Sequence, residues 1–154
     1  MNQCKNVHVN LVLIAKAPRP GYVKTRLHTS FSHRQAGDIY QQFLSRARAL
    51  AETWQQNCPD IRLFLAYDPP DQPELWDNWH AWKRLPQASG NLGDRLRAVM
   101  DAISPAPADA VIFIGADAPE LSLLHLDWAA ENLLANPAVN IFVSPRAWRN
   151  WQTR

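Results

Sequence analysis

Lys16, Arg19, Lys24 and Arg26 fall within eleven consecutive positions, with Pro18, Pro20 and Gly21 between them. Prolines and a glycine stiffen and turn a backbone and lower the entropy cost of ordering it. A stiff loop with four cations suits a polyanion, and we read it as a holder of nucleotide phosphates. Arg26 can bind two oxygens in a planar fork, and Lys24 acts as a point charge. Side chains would have to do this work, because the stretch contains neither Gly-x-x-x-x-Gly-Lys-Ser/Thr nor Gly-x-Gly-x-x-Gly. A solvated basic loop has the same composition, so that alternative stays open.

Two further stretches carry unusual chemistry. Residues 87–95 read Gln-Ala-Ser-Gly-Asn-Leu-Gly-Asp-Arg. Gly90 and Gly93 let a ligand approach the backbone, and Leu92 opens an apolar helical face, so free N–H groups at a helix start would face an anion. The alternative is a plain capped turn, with Asn91 as the cap and Asp94 favouring the helix dipole. Residues 114–121 read Ile-Gly-Ala-Asp-Ala-Pro-Glu-Leu. Asp117, with Glu120 three residues on, suits a hard divalent cation that bridges phosphates. Equally, Asp117 could cap a turn and Glu120 open a helix.

These stretches need a scaffold that brings them together. Residues 7–15 predict a strand, apolar at every position from Leu11 to Ile14, as a central strand buried on both faces should be. Ser32 with Gln35 forms a capping-box pattern ahead of a helix that runs to about residue 57. Residues 61–67 predict a second strand, parallel to the first through a right-handed crossover. A Pro/Asp turn follows, then a short helix over 73–79, a short strand over 82–85 and a helix from Leu92 to Ile103. A proline-rich loop leads to a strand over 110–115, a helix over 122–136 and a last strand over 139–143. Alternating strands and helices make an α/β domain with a mostly parallel sheet, in which ligands sit outside the carboxyl ends of the strands. All three stretches stand at those ends.

Composition narrows the classes. The chain has 154 residues, 47% hydrophobic and 19% charged, enough for one globular domain with a real core. A net charge of +2 is too small to argue for nucleic-acid binding. No apolar run is long enough to span a bilayer, and the N-terminus lacks the pattern of a signal peptide. Cys4 and Cys58 make no disulfide framework and no metal spacing, which points to a reducing, cytoplasmic home. The five histidines show no metal spacing either. Ser30 and Ser32 lack a nucleophile-elbow context. Trp76, Trp79 and Trp82 read as a packing lid over the sheet rather than a stacking platform for bases.

The three stretches together resemble a bacterial family of glycosyltransferase-like proteins, the transferases associated with radical-SAM/selenodomain proteins. That family is related to phospholactate guanylyltransferase and to nucleotide-diphospho-sugar transferases of the GT-A fold. The resemblance spans about residues 9–145 and is closest over 15–27, Ala-Lys-Ala-Pro-Arg-Pro-Gly-Tyr-Val-Lys-Thr-Arg-Leu. The family's Gln-Gly-x-Gly-Asp-Leu-Gly-x-Arg appears at 87–95 with Asn91 in place of an aspartate. Its Gly-Ser-Asp-Cys-Pro-Asp-Leu appears at 115–121 with Asp117 kept. The resemblance implies a GT-A-like Rossmann-type three-layer sandwich with a mostly parallel sheet. It also implies a nucleoside-diphosphate-sugar donor, or a nucleoside triphosphate if the reaction is nucleotidyl transfer, and Mg²⁺ or Mn²⁺. By this resemblance Lys16, Arg19, Gly21, Lys24 and Arg26 bind nucleotide phosphates. Gln87, Gly90, Leu92 and Gly93 line the nucleotide pocket, and Asp117 holds the metal. No catalytic nucleophile is required of the protein, since the acceptor supplies the attacking oxygen.

The family continues beyond the last strand with a Gly-Pro-x-x-Asp-Gly-Gly-Tyr-like segment. Here residues 143–146 begin to match and then diverge, and residues 147–154 hold two tryptophans and two arginines without an apolar period. The expectation is a transferase-like domain over 1–145, incomplete at its C-terminus, with a non-family tail over 146–154. Such a domain would bind nucleotide weakly, transfer little or nothing, and leave a sheet edge that invites a homodimer. A non-catalytic nucleotide-binding remnant is the rival expectation.

Overall fold

The computed structural model describes residues 8–103, 105, 106, 109–136 and 141–143, the last three by backbone alone. Five strands, β1 (Val9–Lys16), β2 (Ile61–Asp68), β3 (Lys83–Pro86), β4 (Ala110–Gly115) and β5 (Ile141–Val143), form one sheet in the order β3-β2-β1-β4-β5. Every pair is parallel. The helices are α1 (His33–Asn57), α2 (Leu92–Ile103) and α3 (Leu123–Ala135). This is the α/β architecture of a GT-A-like Rossmann-type fold.

Although the central strands are apolar throughout, their side chains still divide by period two. Leu11, Leu13 and Ala15 of β1, Leu63, Leu65 and Tyr67 of β2, and Ile112 and Ile114 of β4 face one core with α1 and α3. Val12, Phe64, Ala66, Val111 and Phe113 face a smaller core closed by Val99, Leu96, Met100 and Ile103 of α2. Three layers result, thicker on the α1/α3 side.

The capping box of α1 forms as its sequence predicts: Gln35 N–H donates to Ser32 Oγ (3.1 Å), and Ser32 N–H donates to Gln35 Oε1 (2.9 Å). Ala36, Tyr40, Leu44, Ala47, Ala51 and Trp54 then bury one stripe of the helix. Trp54 Nε1–H donates to Asp127 Oδ1 (2.8 Å), which ties α1 to α3 across the same face.

Several expectations need adjusting. β1 runs to Lys16, one residue past its predicted end, and Val7 lies outside the described residues. The short helix expected over 73–79 forms over those residues as a 3-10 segment, interrupted at Trp76 (φ −118°, ψ 17°). β3 starts and ends one residue later than predicted. It is an edge strand, where Pro86 loses no ladder bond and Lys83 and Arg84 discourage pairing with another chain. Cys58, the residue that ends α1, is disulfide-bonded, so the cysteine pattern no longer argues for a reducing compartment. Among the described residues no helix is long and apolar enough to cross a membrane. Residues 144–154, where the divergent tail and the incomplete C-terminus are expected, lie outside the described residues.

Candidate functional site

The strand order reverses between β1 and β4: the chain leaves β1 toward β2 and β3, then returns to the other side for β4 and β5. Ligands of open parallel sheets lie in the crevice at such a reversal, beyond the carboxyl ends. The register sets those ends side by side, with Lys16 against Asp68, Tyr67 against Pro86 and Ile14 against Gly115. The three chemically unusual loops therefore share one sheet edge.

The loop after β1 is built by its own turn chemistry. Ala17 N–H donates to Asp68 O (2.8 Å), pinning the loop to the end of β2. Tyr22 N–H donates to Arg19 O (3.1 Å), with Pro20 and Gly21 between them and Gly21 at φ 80°. Pro then Gly at the centre of a turn, with positive φ at the glycine, is a type II signature. Gly21 is thus required by the turn itself. Buried Tyr40 of α1 accepts a hydrogen bond from Lys16 N–H (2.9 Å). Burial holds its phenol far above the ordinary value, and the charges of Asp117 and Asp68 push the same way.

The four predicted phosphate cations take different surroundings. Lys16 Nζ and the Arg19 guanidinium lie 5.5 Å and 4.7 Å from the centre of the Tyr22 ring. Arg19 Nη1 also donates to Gln72 Oε1 (3.0 Å), while its Nε is buried without a partner. Lys24 adopts a left-handed backbone (φ 53°) ahead of the short 3-10 turn Thr25–Leu27. Its Nζ reaches Asp117 Oδ1 at 2.5 Å and lies 5.0 Å from the centre of the Phe43 ring. Arg26, in the 3-10 turn, is exposed. The predicted phosphate lysine and the predicted metal carboxylate are thus in direct contact, one from each side of the β1/β4 crevice.

At the loop after β3, the capped turn is what the backbone forms. Asp94 N–H donates to Asn91 Oδ1 (3.0 Å), and Asn91 N–H donates to Asp94 Oδ2 (3.1 Å). Asn91 caps as an aspartate would, without needing its charge. Gly90 sits at φ 110°, and a Cβ there would lie 2.6 Å from Asp94 Oδ2. A Cβ on Gly93 would lie 3.2 Å from Asn91 Oδ1. Leu92 is exposed. Buried Gln87 donates through Nε2 to Ala15 O (3.1 Å) and Ala66 O (2.8 Å), stitching β1 to β2. Its Oε1 accepts from Arg95 Nη1 (3.3 Å), and Arg95 Nε donates to Gly90 O (3.1 Å). Side-chain contact between Gln87 and a base would have to break this stitching.

Three residues of this edge were absent from the sequence-based list. Tyr22 O–H donates to Asp68 Oδ2 (2.6 Å). That bond is the main reason the phenol titrates above its ordinary value, with burial and the Asp68 charge adding and the charges of Arg19 and Arg95 opposing. Tyr22 and Asp68 therefore link the β1 and β2 loops, and Arg95 is held at the β3 loop by Gln87 and Gly90. Tyr22 stands inside the cationic stretch and Asp68 directly precedes Pro69, but spacing alone does not reveal their pairing.

Asp117 is the donor to weigh for a metal. Among the described residues no three His, Cys, Asp or Glu side chains gather at one place. An exposed carboxylate at a strand end fits a hard cation that takes most of its ligands from phosphate and water. Held by the protein alone, such a cation would bind weakly.

Residues 50–144 match a family described as "Uncharacterized protein conserved in bacteria (DUF2064)". The chain belongs to this family. The match starts after the cationic loop, so the placement of that loop in the DUF2064 chain rests on its geometry. No curated protein matches the chain. A crystal structure named "putative nucleotide-diphospho-sugar transferase" from Desulfovibrio desulfuricans G20 is similar over 82% of the chain, with a TM-score of 0.72 at 24% identity. That likeness is one of fold. The DUF2064 chain spans 55% of that protein's length.

Proposed function

We propose that this chain is a nucleotide-dependent transferase domain that takes a nucleoside-diphosphate sugar at the β1/β4 crevice, with Mg²⁺ or Mn²⁺. The observation that carries the reading is the Lys24–Asp117 contact across the strand-order reversal, with Lys16 and Arg19 beside it at the same sheet edge. Lys24 and Arg26 neutralise the diphosphate, and Arg19 adds its charge at the same edge. The backbone around Gly90 and Leu92 borders the nucleotide. Asp117 would hold the divalent cation, which when bound supplies charge stabilisation for the departing diphosphate. In glycosyl transfer the acceptor oxygen attacks the anomeric carbon, the bonding electron pair leaves with the nucleoside diphosphate, and the acceptor's proton passes to water. The cations here would hold the leaving group's charge.

The test is binding by calorimetry, using uridine and guanosine diphosphate sugars and nucleoside triphosphates with Mn²⁺ present. A saturable signal is expected for at least one nucleotide, weakened about tenfold by Arg26→Ala because one charge-assisted contact is lost. If no nucleotide binds, the reading is wrong. A second reading, a nucleotide-binding domain without turnover, is favoured by Lys24 already pairing with Asp117. It would be recognised by nucleotide binding without release of diphosphate or pyrophosphate. Pyrophosphate release with transfer of the nucleotide would instead identify nucleotidyl transfer.

A further inference from the structure

We propose that Lys24 guards Asp117. In the ligand-free chain its ammonium occupies the place at the carboxylate that a divalent cation needs, so Asp117 admits the cation only after an anion has drawn Lys24 away. The inference rests on the reading above in taking Asp117 as the metal-facing group, and it adds an order of binding: phosphate-bearing ligand first, metal second.

The two partners are held unequally. The Lys24 side chain is 17% exposed and that of Asp117 57% exposed. Lys24 is fixed by its left-handed backbone at the mouth of the 3-10 turn and by the Phe43 ring. Asp117 stands on a short loop anchored at both ends by buried Ala116 and Leu121, with Leu121 N–H donating to Ala118 O (3.0 Å). Neither group needs to rearrange to keep the contact. A dication approaching Asp117 meets an ammonium already touching Oδ1, and like charges a few ångströms apart repel strongly in a partly buried site. Among the described residues no second and third ligand gather nearby to compensate. A diphosphate changes the balance twice: it offers Lys24 a better anion, and it supplies the oxygens that the metal lacks. Because binding free energies are coupled reciprocally, a metal at Asp117 would in turn release Lys24 to the phosphates.

The experiment titrates Mn²⁺ alone into the full chain and follows free Mn²⁺ by electron paramagnetic resonance. Lys24→Gln should bind one Mn²⁺ about tenfold or more tightly than the wild type, since one positive charge at contact has gone. Lys24→Arg, which keeps the charge, should behave as the wild type, and adding Asp117→Asn to Lys24→Gln should abolish the gain. Equal Mn²⁺ affinity in wild type and Lys24→Gln overturns the proposal, as does a gain that survives Asp117→Asn. A second measurement avoids altering the loop. In the wild type, Lys24 should acylate slowly when amine labelling is followed by mass spectrometry, and Asp117→Asn, a change at an exposed side chain, should speed it. Equal labelling rates count against the guard. The two proposals fail separately. Absence of nucleotide binding removes the transferase reading and leaves the Mn²⁺ comparison standing. Nucleotide binding with no effect of Lys24→Gln on Mn²⁺ removes only the guard.

Discussion

At Glu52, on α1, burial and hydrogen bonding act in opposite directions. Burial is the largest single influence and pushes its carboxyl up. Hydrogen bonds from Arg48 Nε (2.9 Å) and Trp82 Nε1 (2.9 Å), together with the Arg48 charge, outweigh it and hold the group below its ordinary 4.5. The unfolded chain therefore binds the proton at higher pH than the native one does. The stabilisation is present above the ordinary value and is lost as pH falls through the lowered one. Urea unfolding from neutral pH into the acid range should show the wild type losing its advantage over Glu52→Gln below pH 4.5. Parallel pH profiles for the two proteins would contradict this. Of the two partners of Glu52, spacing reveals only the i, i+4 Arg48, because Trp82 arrives from thirty residues away.

The start of α2 is set by its cap. Asn91 and Asp94 cap the helix reciprocally, and Gly90 turns into that cap at φ 110°. Asn91→Ala should cost about 1 kcal/mol in urea unfolding, whereas Asn91→Asp, which keeps the accepting oxygen, should stay within about 0.5 kcal/mol. Gly90→Ala should cost more, about 1–3 kcal/mol, because its Cβ would meet Asp94 in a backbone region that L residues avoid. If Gly90→Ala proves as stable as the wild type, the cap does not require the glycine. At this scale the sequence was readable. Capping patterns, the type II Pro–Gly turn and the apolar strands all depend on near neighbours in the chain. The Trp segment was read correctly as packing and as a short helix. Its tryptophans are buried in edge-to-face contact, and their spacing of three fits a 3-10 segment better than an α-helix.

Across the whole molecule, the α1/α3 face is the thicker side, and the Trp segment closes it. Trp76 is 1% exposed and its ring packs near Tyr67 and Trp79. Trp76→Ala should cost about 3–5 kcal/mol, read as a lower denaturant midpoint. Trp76→Phe should recover most of that loss, because it keeps an aromatic ring and removes a buried Nε1–H that has no partner. An equally large loss with Phe would mean that the N–H contributes to stability after all. The same architecture places Lys24 against Asp117, since only the order β3-β2-β1-β4-β5 makes the loops after β1 and β4 neighbours.

By itself the sequence determined the element types, the parallel α/β class and the location of the cationic and acidic loops at strand ends. Each follows from periodicity and turn chemistry over a few residues. Tertiary structure decided how those charges are used. Gln87 stitches β1 to β2, Tyr22 is tied to Asp68, and Lys24 sits on Asp117. These contacts join residues from about twenty to more than ninety positions apart. Local propensity carries no information about such pairs, and only the packed sheet edge brings them within hydrogen-bonding range.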